Sequence, residues 1–257
     1  MNYGLQLTAS GAMTSLYQMD VLSNNLANLD TPGFKPLMPA TRQREHVRAE
    51  DALMNWPSDR MLEALGGGVL NAPNRLDLRQ GAITSTNEAL DVAIMGEGFF
   101  AVATRAPGGA DEVRLTRNGR FAVVEDRLVQ STTGLAVLDQ SQRPIRVPVG
   151  AAARIDSEGY VLVDGLRSQR LGLFTADPRS LAPTGEGLYE ASGGGELAAA
   201  PDATRLVPSS IEASGVDAIA TMMKISGASS RFNTHMSMIK QHDLMNERAI
   251  TTLGRFA

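Results

Sequence analysis

The chain changes from a helical pattern to a turn within residues 23–35, whose sequence is SNNLANLDTPGFK. Upstream of this stretch, apolar side chains recur every three or four residues. This is typical of a helix that presents a narrow apolar stripe to a second helix. Pro32 disfavours helical backbone at Thr31, and Gly33 can adopt the positive φ of a type II turn. We therefore predict a helix over residues 3–28, about 39 Å long, that ends at this turn. Its stripe comprises Leu5, Ala9, Ala12, Leu16, Met19 and Leu26, with Ser23 as a polar member.

A second long stripe occupies the C-terminal segment. Ser214, with Asp217 three residues later, resembles a capping box and predicts the start of a helix over residues 216–253, about 57 Å long. A stripe this long and narrow indicates that the helix packs against another helix, and the N-terminal helix is one partner for it. The stripe comprises Met222, Ile225, Ser229, Phe232, Met236, Ile239, Asp243, Asn246, Ile250 and Leu253.

Glycine and proline are concentrated between the two helical segments, since 19 of the 25 glycines lie between Gly66 and Gly195. Short apolar runs alternate with turn residues here, and Asn118-Gly119 is a strong signal for a β-hairpin. We predict an α+β fold in which long N- and C-terminal helices pair as a coiled-coil-like domain, with an antiparallel β barrel or sandwich inserted. The predicted domains are 1–35 with 209–257 (helical), 36–68 (an irregular linker with a possible short helix at 45–54) and 69–208 (β-rich).

Composition excludes several function classes. The net charge of −4 gives no electrostatic case for nucleic acid, and the absence of cysteine removes disulfides and thiolate sites. No apolar run approaches the roughly 18 residues of a membrane span. The first basic residue is Lys35, so we expect no cleavable signal peptide.

Nor do the residues indicate a catalytic, metal or cofactor site. His235 and His242 lie about 10 Å apart along a helix and lack further ligands. The carboxylates Asp156, Glu158 and Asp164 stand in turns, where acidic residues are favoured for conformational reasons. We therefore predict no enzyme activity and no cofactor.

Three motifs, in this order, resemble bacterial flagellar rod and hook proteins. The first is the opening stretch, from SNNLAN to TPGFK. The second is LDVAI at residues 90–94 with GEGFF at 96–100, and the third is TRNG at 116–119. The family's element LE.SNV is replaced by Ile211-Glu212-Ala213-Ser214-Gly215-Val216, with glycine where asparagine is expected. The wording of the first motif and the moderate length resemble the proximal rod protein most, and the distal rod protein next.

The resemblance implies a structural subunit of the flagellar rod, a helical tube that transmits torque across the periplasm. It implies export through the flagellar type III apparatus without a cleaved signal, and partners that are copies of this chain and other rod or hook proteins. Membrane insertion is not expected. The alternatives are a distal rod or hook-type axial protein, or, in a different class, a cell-wall-binding or glycan-processing β-domain protein.

Two sets of residues are candidates for function in such a subunit. Thr31, Pro32, Gly33 and Phe34 form the predicted inter-domain turn. Phe34 is hypothesised to anchor this turn against the C-terminal helix and to set the angle between the domains. Asn24 and Asn25 are hypothesised to form hydrogen bonds across subunits. The full set predicted for subunit assembly is Leu5, Ala12, Leu16, Met19, Asn24, Asn25, Leu26, Met222, Ile225, Phe232, Met236, Ile239, Ile250 and Leu253.

Overall fold

The computed structural model describes residues 3–45, 66–105, 111–191, 197–201 and 203–253. Most of the predicted short helix at 45–54 lies outside these residues. Contacts divide the chain into two units: a helical unit of residues 1–27, 37–75 and 217–257, and a β unit of residues 28–36 and 76–216. Residues 37–68 of the predicted linker therefore belong to the helical unit, and residues 28–36 and 209–216 are part of the β unit.

The helical unit contains helix α1 (Tyr3–Ala27), helix α2 (Ala218–Leu253) and a two-stranded sheet of β1 (Leu37–Gln43) and β2 (Val69–Leu76). Both predicted helices are confirmed to within two residues at each end. The cap of α2 differs from the prediction, because Asp217 Oδ1 accepts the N–H of Ala220 at 3.0 Å while Ser214 Oγ accepts only the N–H of Val216. Asp217 is thus the N-cap residue, and the proposed role of Ser214 as the first residue of a capping box is wrong.

After α1 the chain turns as predicted. The N–H of Phe34 donates to the carbonyl of Thr31 at 3.3 Å, and Gly33 has a φ of +67°. Proline at the second position and a positive φ at the third define a type II turn.

The described residues of the β unit form sixteen short strands, and all the pairings among them are antiparallel. The largest sheet has the strand order β14-β15-β6-β5-β9-β8-β7; in addition, β13 pairs with β5 and β16 pairs with β13. Smaller sheets are formed by β10-β11-β12, β4-β17 and β3-β18. The strands are β3 (Ile83–Ser85), β4 (Val92–Met95), β5 (Phe99–Arg105), β6 (Asp111–Thr116), β7 (Phe121–Val124), β8 (Arg127–Gln130), β9 (Ala136–Val137), β10 (Ala153–Ile155), β11 (Tyr160–Val163), β12 (Leu166–Arg170), β13 (Leu173–Thr175), β14 (Leu181–Gly185), β15 (Leu188–Ala191), β16 (Ala198–Ala199), β17 (Arg205–Pro208) and β18 (Ser210–Glu212).

Strand β5 is buried on both faces and separates two hydrophobic cores. Phe100 and Val102 belong to one core, which also receives residues from β4, β7, β8, β11 and β17. Phe99 and Ala101 face the other core, built with β6, β14 and β15. Alternation along a strand places these pairs on opposite faces, so each face of the sheet around β5 is covered. The predicted arrangement of two terminal helices around a β-rich middle is confirmed, and the described strands form no closed barrel.

The hairpin predicted at Asn118-Gly119 is wrong. Strand β6, which precedes it, pairs with β5 and β15, and the actual hairpin joins β7 to β8 through Glu125 and Asp126, both at positive φ. A Cβ on Gly119 would overlap the carbonyl of Val92, and the carbonyl of Gly119 accepts the N–H of Val92 at 3.0 Å. Glycine is therefore needed at position 119 for the close approach of β4 rather than for a turn.

Candidate assembly surfaces and the buried junction cluster

Helices α1 and α2 pack antiparallel, with Gly11 against His235 and Gly4 against His242. Among the buried and half-buried residues of α2, seven recur at spacings of four and three, as in a heptad seam. They are Thr221, Ile225, Ala228, Phe232, His235, Ile239 and His242. One of the two rows of the predicted stripe (Ile225, Phe232 and Ile239) lies in this seam. The second row of the seam lies one residue before the predicted one.

The displaced row leaves apolar side chains of α2 exposed. Met222 is 56% exposed and Ile250 72% exposed, and Met236 lies between them on the same row. On α1, Met13 is 71% exposed and Leu16 is also exposed. Apolar side chains on long helices outside their mutual seam are available for contacts with other molecules.

The remaining residues predicted for assembly differ in their exposure. Ala12 is buried within the helical unit, whereas Leu5, Met19 and Leu26 are half-buried and Asn24 is exposed. The side chain of Leu253 lies outside the described part of the chain.

Asn25 is buried and attaches strand β1 to helix α1. Its Nδ2 donates to the carbonyl of Leu37 at 2.7 Å, and its Oδ1 accepts the N–H of Leu37 at 2.9 Å. The amide thus pairs with a backbone in the way that a neighbouring strand would. These two hydrogen bonds are made within the chain, so the hypothesised bonds of Asn25 across subunits would have to use its remaining capacity.

Helix α2 is longer than α1, with 36 residues against 25. Because Gly4, near the start of α1, lies against His242, residues 244–253 of α2 extend past the described N-terminal end of α1 by about 15 Å. This extension carries the exposed side chains of Leu244, Met245 and Ile250.

A buried ionic cluster lies inside the β unit and consists of Lys35, Arg117 and Glu212; we call it the junction cluster. Lys35 belongs to the TPGFK motif, Arg117 to the TRNG motif and Glu212 to the segment 211–216. Glu212 Oε1 accepts from Lys35 Nζ at 2.6 Å, and Glu212 Oε2 accepts from Arg117 Nη1 at 3.0 Å. All three side chains are at most 4% exposed. The cluster joins the turn after α1, the segment after β6 and strand β18.

Backbone hydrogen bonds reinforce the junction cluster. Glu212 Oε1 also accepts the N–H of Gly81 at 2.7 Å, and Lys35 Nζ donates to the carbonyl of Arg79 at 2.7 Å. The N–H of Gly33 donates to the carbonyl of Glu212, and the N–H of Gly215 donates to that of Phe34. Phe34 itself is buried. The segments of the β unit that lead to α1, to β2 and to α2 are therefore tied together.

Electrostatics at the cluster follow from burial. Desolvation lowers the pKa of Lys35, although the contact with Glu212 opposes this effect. Tyr189 accepts the N–H of Lys35 through its hydroxyl at 3.0 Å, and burial raises the pKa of Tyr189 to about 12. The cluster holds two cations and one anion, so Glu212 supplies its one negative charge.

The carboxylates considered for an enzyme have conformational roles. Asp156 Oδ1 accepts the N–H groups of Glu158 and Tyr160, and Asp164 Oδ1 accepts the N–H of Ala152. Glu158 pairs with Arg167 on the surface. Among the described residues, no three His, Asp or Glu side chains group as metal ligands, and no described helix has the length and hydropathy to span a membrane.

Two family models match the chain. The model described as flagella basal body rod protein matches residues 5–35, which include most of α1 and the following turn. The model described as flagellar hook protein FlgE/F/G D1 domain matches residues 93–163, from β4 to β11. Both models describe flagellar rod or hook proteins, and this is the class of protein that the two matched segments resemble.

Curated relatives extend the similarity over nearly the whole chain. The flagellar basal-body rod protein FlgF of Caulobacter vibrioides is 28% identical over 99% of both chains, and FlgF of Escherichia coli is 28% identical over 95% of both. FlgG of Borreliella burgdorferi is 27% identical over 94% of this chain and 95% of its own. The resemblance to flagellar basal-body rod proteins predicted from the sequence is thereby confirmed.

Proposed function

We propose that this chain is a non-enzymatic structural subunit of the flagellar rod and that it assembles through its terminal helices. The observation that carries the proposal is the set of exposed apolar side chains on α1 and α2, outside the seam that joins these helices. The named relatives are basal-body rod proteins at nearly full length, which supports the same role. The subunit would lie in the basal-body rod.

The geometry of the helices supports a helical assembly. Exposed apolar side chains lie on two different surfaces of the subunit. One surface is the row of Met222, Met236 and Ile250 with the extension of α2, and the other is the face of α1 that carries Met13 and Leu16. A contact between two different surfaces of identical subunits does not close on itself in general and produces a filament. Copies of this chain and other axial proteins are therefore the proposed partners, with the type III export apparatus as the route of delivery. A proximal position in the rod is proposed on the sequence motifs alone.

For the β unit we propose a sandwich rather than a barrel. Support comes from the core that includes Phe100 and Val102, which also receives Val161 from the small sheet and Leu206 from β17. Antiparallel sheets that share a core in this way are typical of sandwich packing.

The assembly surface can be tested by placing charge on the exposed row of α2. Met222→Lys combined with Met236→Lys should abolish rod assembly, because a buried interface does not accommodate unpaired lysines. The matched control is Leu166→Lys, since Leu166 is 76% exposed and lies on the β unit. The assay is complementation of a deletion strain, with motility and electron microscopy of isolated basal bodies as readouts. Normal rods with the double variant, while the protein is present at the normal level, would overturn the proposed surface.

A further inference from the structure

Two glycines of α1 receive two histidines of α2. A Cβ on Gly11 would lie 2.6 Å from Cε1 and 2.8 Å from Nε2 of His235, and a Cβ on Gly4 would lie 3.0 Å from Cε1 of His242. Gly4 and Gly11 are seven residues apart, as are His235 and His242. Each imidazole edge therefore occupies the space that a side chain at the opposite position would fill.

These glycines are unusual for a helix interior. Glycine destabilises a helix interior relative to alanine, so two glycines weaken α1 unless another contact requires them. Gly227, the described glycine of α2, has no neighbouring atom within 4 Å of its would-be Cβ. Close contact is thus specific to Gly4 and Gly11 and does not accompany every helical glycine in this chain.

Shape rather than hydrogen bonding holds the histidine at 235. Its Nδ1 is buried and has no hydrogen-bond partner among the described residues. The neighbouring hydroxyl of Ser15 donates to the carbonyl of Gly11 in its own helix. The position of the imidazole is therefore set by the space above Gly11.

We propose that these glycine–histidine pairs determine the register in which α1 and α2 pair. Continuing at heptad spacing from Gly4 and Gly11, α1 presents Gln18 and Asn25; continuing from His242 and His235, α2 presents Ala228 and Thr221. In the observed register, both large imidazoles face glycine. Heptad spacing places the large Gln18 opposite the small Ala228, and Gln18 Oε1 accepts from Nη2 of the nearby Arg231 at 2.9 Å.

Other registers lose this match between large and small residues. Sliding α2 by one heptad in one direction places His235 at Gln18, where two long side chains compete for one space. Sliding it in the other direction places Ala228 at Gly11, which leaves a void. Overpacking and cavities both destabilise a packed seam, so one antiparallel alignment is selected. In a rod subunit, whose helices also meet those of identical copies, this selection fixes which faces remain exposed for assembly.

The test is a pair of size changes measured on the purified, dilute full-length chain. Gly11→Ala should raise the unfolding equilibrium constant of the helical unit at least tenfold in urea, and Gly4→Ala should raise it less, because its contact is longer. Adding His235→Ala to Gly11→Ala should restore most of the lost stability. The control Gly227→Ala should lower the unfolding constant, as expected for alanine in open space.

Register itself can be read by disulfide formation, because the chain contains no cysteine. Gln18→Cys with Ala228→Cys should cross-link within one chain on oxidation, while Gln18→Cys with Thr221→Cys, one heptad displaced, should not. Gly11→Ala should reduce the first cross-link, and His235→Ala should recover it. If Gly11→Ala behaves like Gly227→Ala, or if its loss is not recovered by His235→Ala, the register hypothesis is wrong. Because these measurements use the dilute chain, their outcome is independent of whether the proposed rod assembly is correct.

Discussion

Replacement of Glu212 by glutamine should lower the free energy of unfolding of the β unit by more than a glutamate-to-glutamine substitution at the surface does. Glu212 accepts hydrogen bonds from Lys35 at 2.6 Å, from the N–H of Gly81 at 2.7 Å and from Arg117 at 3.0 Å. Glutamine retains the shape but removes the negative charge, and one of its two terminal groups becomes a donor facing a donor. Two buried cations would then lack a counter-charge.

The size of this effect follows from burial. Removal of one partner from a buried ion pair typically costs about 3–5 kcal/mol, so Glu212→Gln should lower the free energy of unfolding by an amount in this range. The matched control is Glu112→Gln, because Glu112 pairs with Arg114 at 2.7 Å on the surface, where the side chains are 42% and 17% exposed. Exposed pairs contribute about 1 kcal/mol or less, so the control should differ little from the native protein.

The assay is urea denaturation of the full chain followed by circular dichroism, together with hydrogen exchange at the amides of Gly81 and Gly33. Faster exchange at both amides is expected in Glu212→Gln, because Gly81 donates to the lost carboxylate and Gly33 donates to the carbonyl of residue 212. If Glu212→Gln and Glu112→Gln lose the same stability, the junction cluster does not hold these segments together.

Three further predictions concern single residues. Tyrosine ionises near 10 in the unfolded chain and Tyr189 has a pKa of about 12 when folded. The unfolded state therefore holds fewer protons between these values, and the free energy of unfolding should fall by about 2 kcal/mol from pH 10 to 12. Urea melts of Tyr189→Phe should show a smaller fall, and an equal fall would contradict the raised pKa of Tyr189. Asn25→Ala should lower the free energy of unfolding by about 2 kcal/mol and speed hydrogen exchange of the Leu37 amide. Asn24→Ala, at an exposed position, should lower the free energy of unfolding less. Equal losses in the two variants would contradict the contact of Asn25 with β1. Gly119→Ala should lower the melting temperature of the β unit, because its Cβ would overlap the carbonyl of Val92, and an unchanged melting temperature would refute the close approach of β4.

Local signals in the sequence predicted the helices and the turn. The stripe periodicity identified α1 and α2, and Thr31-Pro32-Gly33 placed the end of α1 because these residues restrict their own backbone. The motifs indicated the resemblance to flagellar rod proteins for the same reason, since each motif is contiguous in sequence.

The details of packing depended on distant partners and were not predictable in the same way. The seam of α2 includes His235 and His242 because α1 offers glycine opposite them, whereas a stripe of apolar residues favours Met222 and Met236 instead. Lys35 and Glu212 both stand in recognisable motifs, yet they are 177 positions apart, and nothing local indicates that they meet. A charged residue within an otherwise apolar or turn-forming motif was the available signal for a buried pair.

Asn118-Gly119 illustrates a local signal that tertiary structure overrides. The dipeptide favours a tight hairpin, but the N–H of Arg120 donates to Asn118 Oδ1 and the side-chain amide of Asn118 donates to Thr132. These contacts and the approach of β4 to Gly119 use the conformational freedom of the dipeptide for a different purpose.

The central claim is that the chain is a building block of the flagellar rod, and deletion of its gene in the strain that carries it tests this most directly. Electron microscopy of basal bodies isolated from the deletion strain should show structures without a completed rod, and the cells should be non-motile. The native gene should restore both, while the variant with Met222→Lys and Met236→Lys should restore neither. Complete, rotating flagella in the deletion strain would contradict the account.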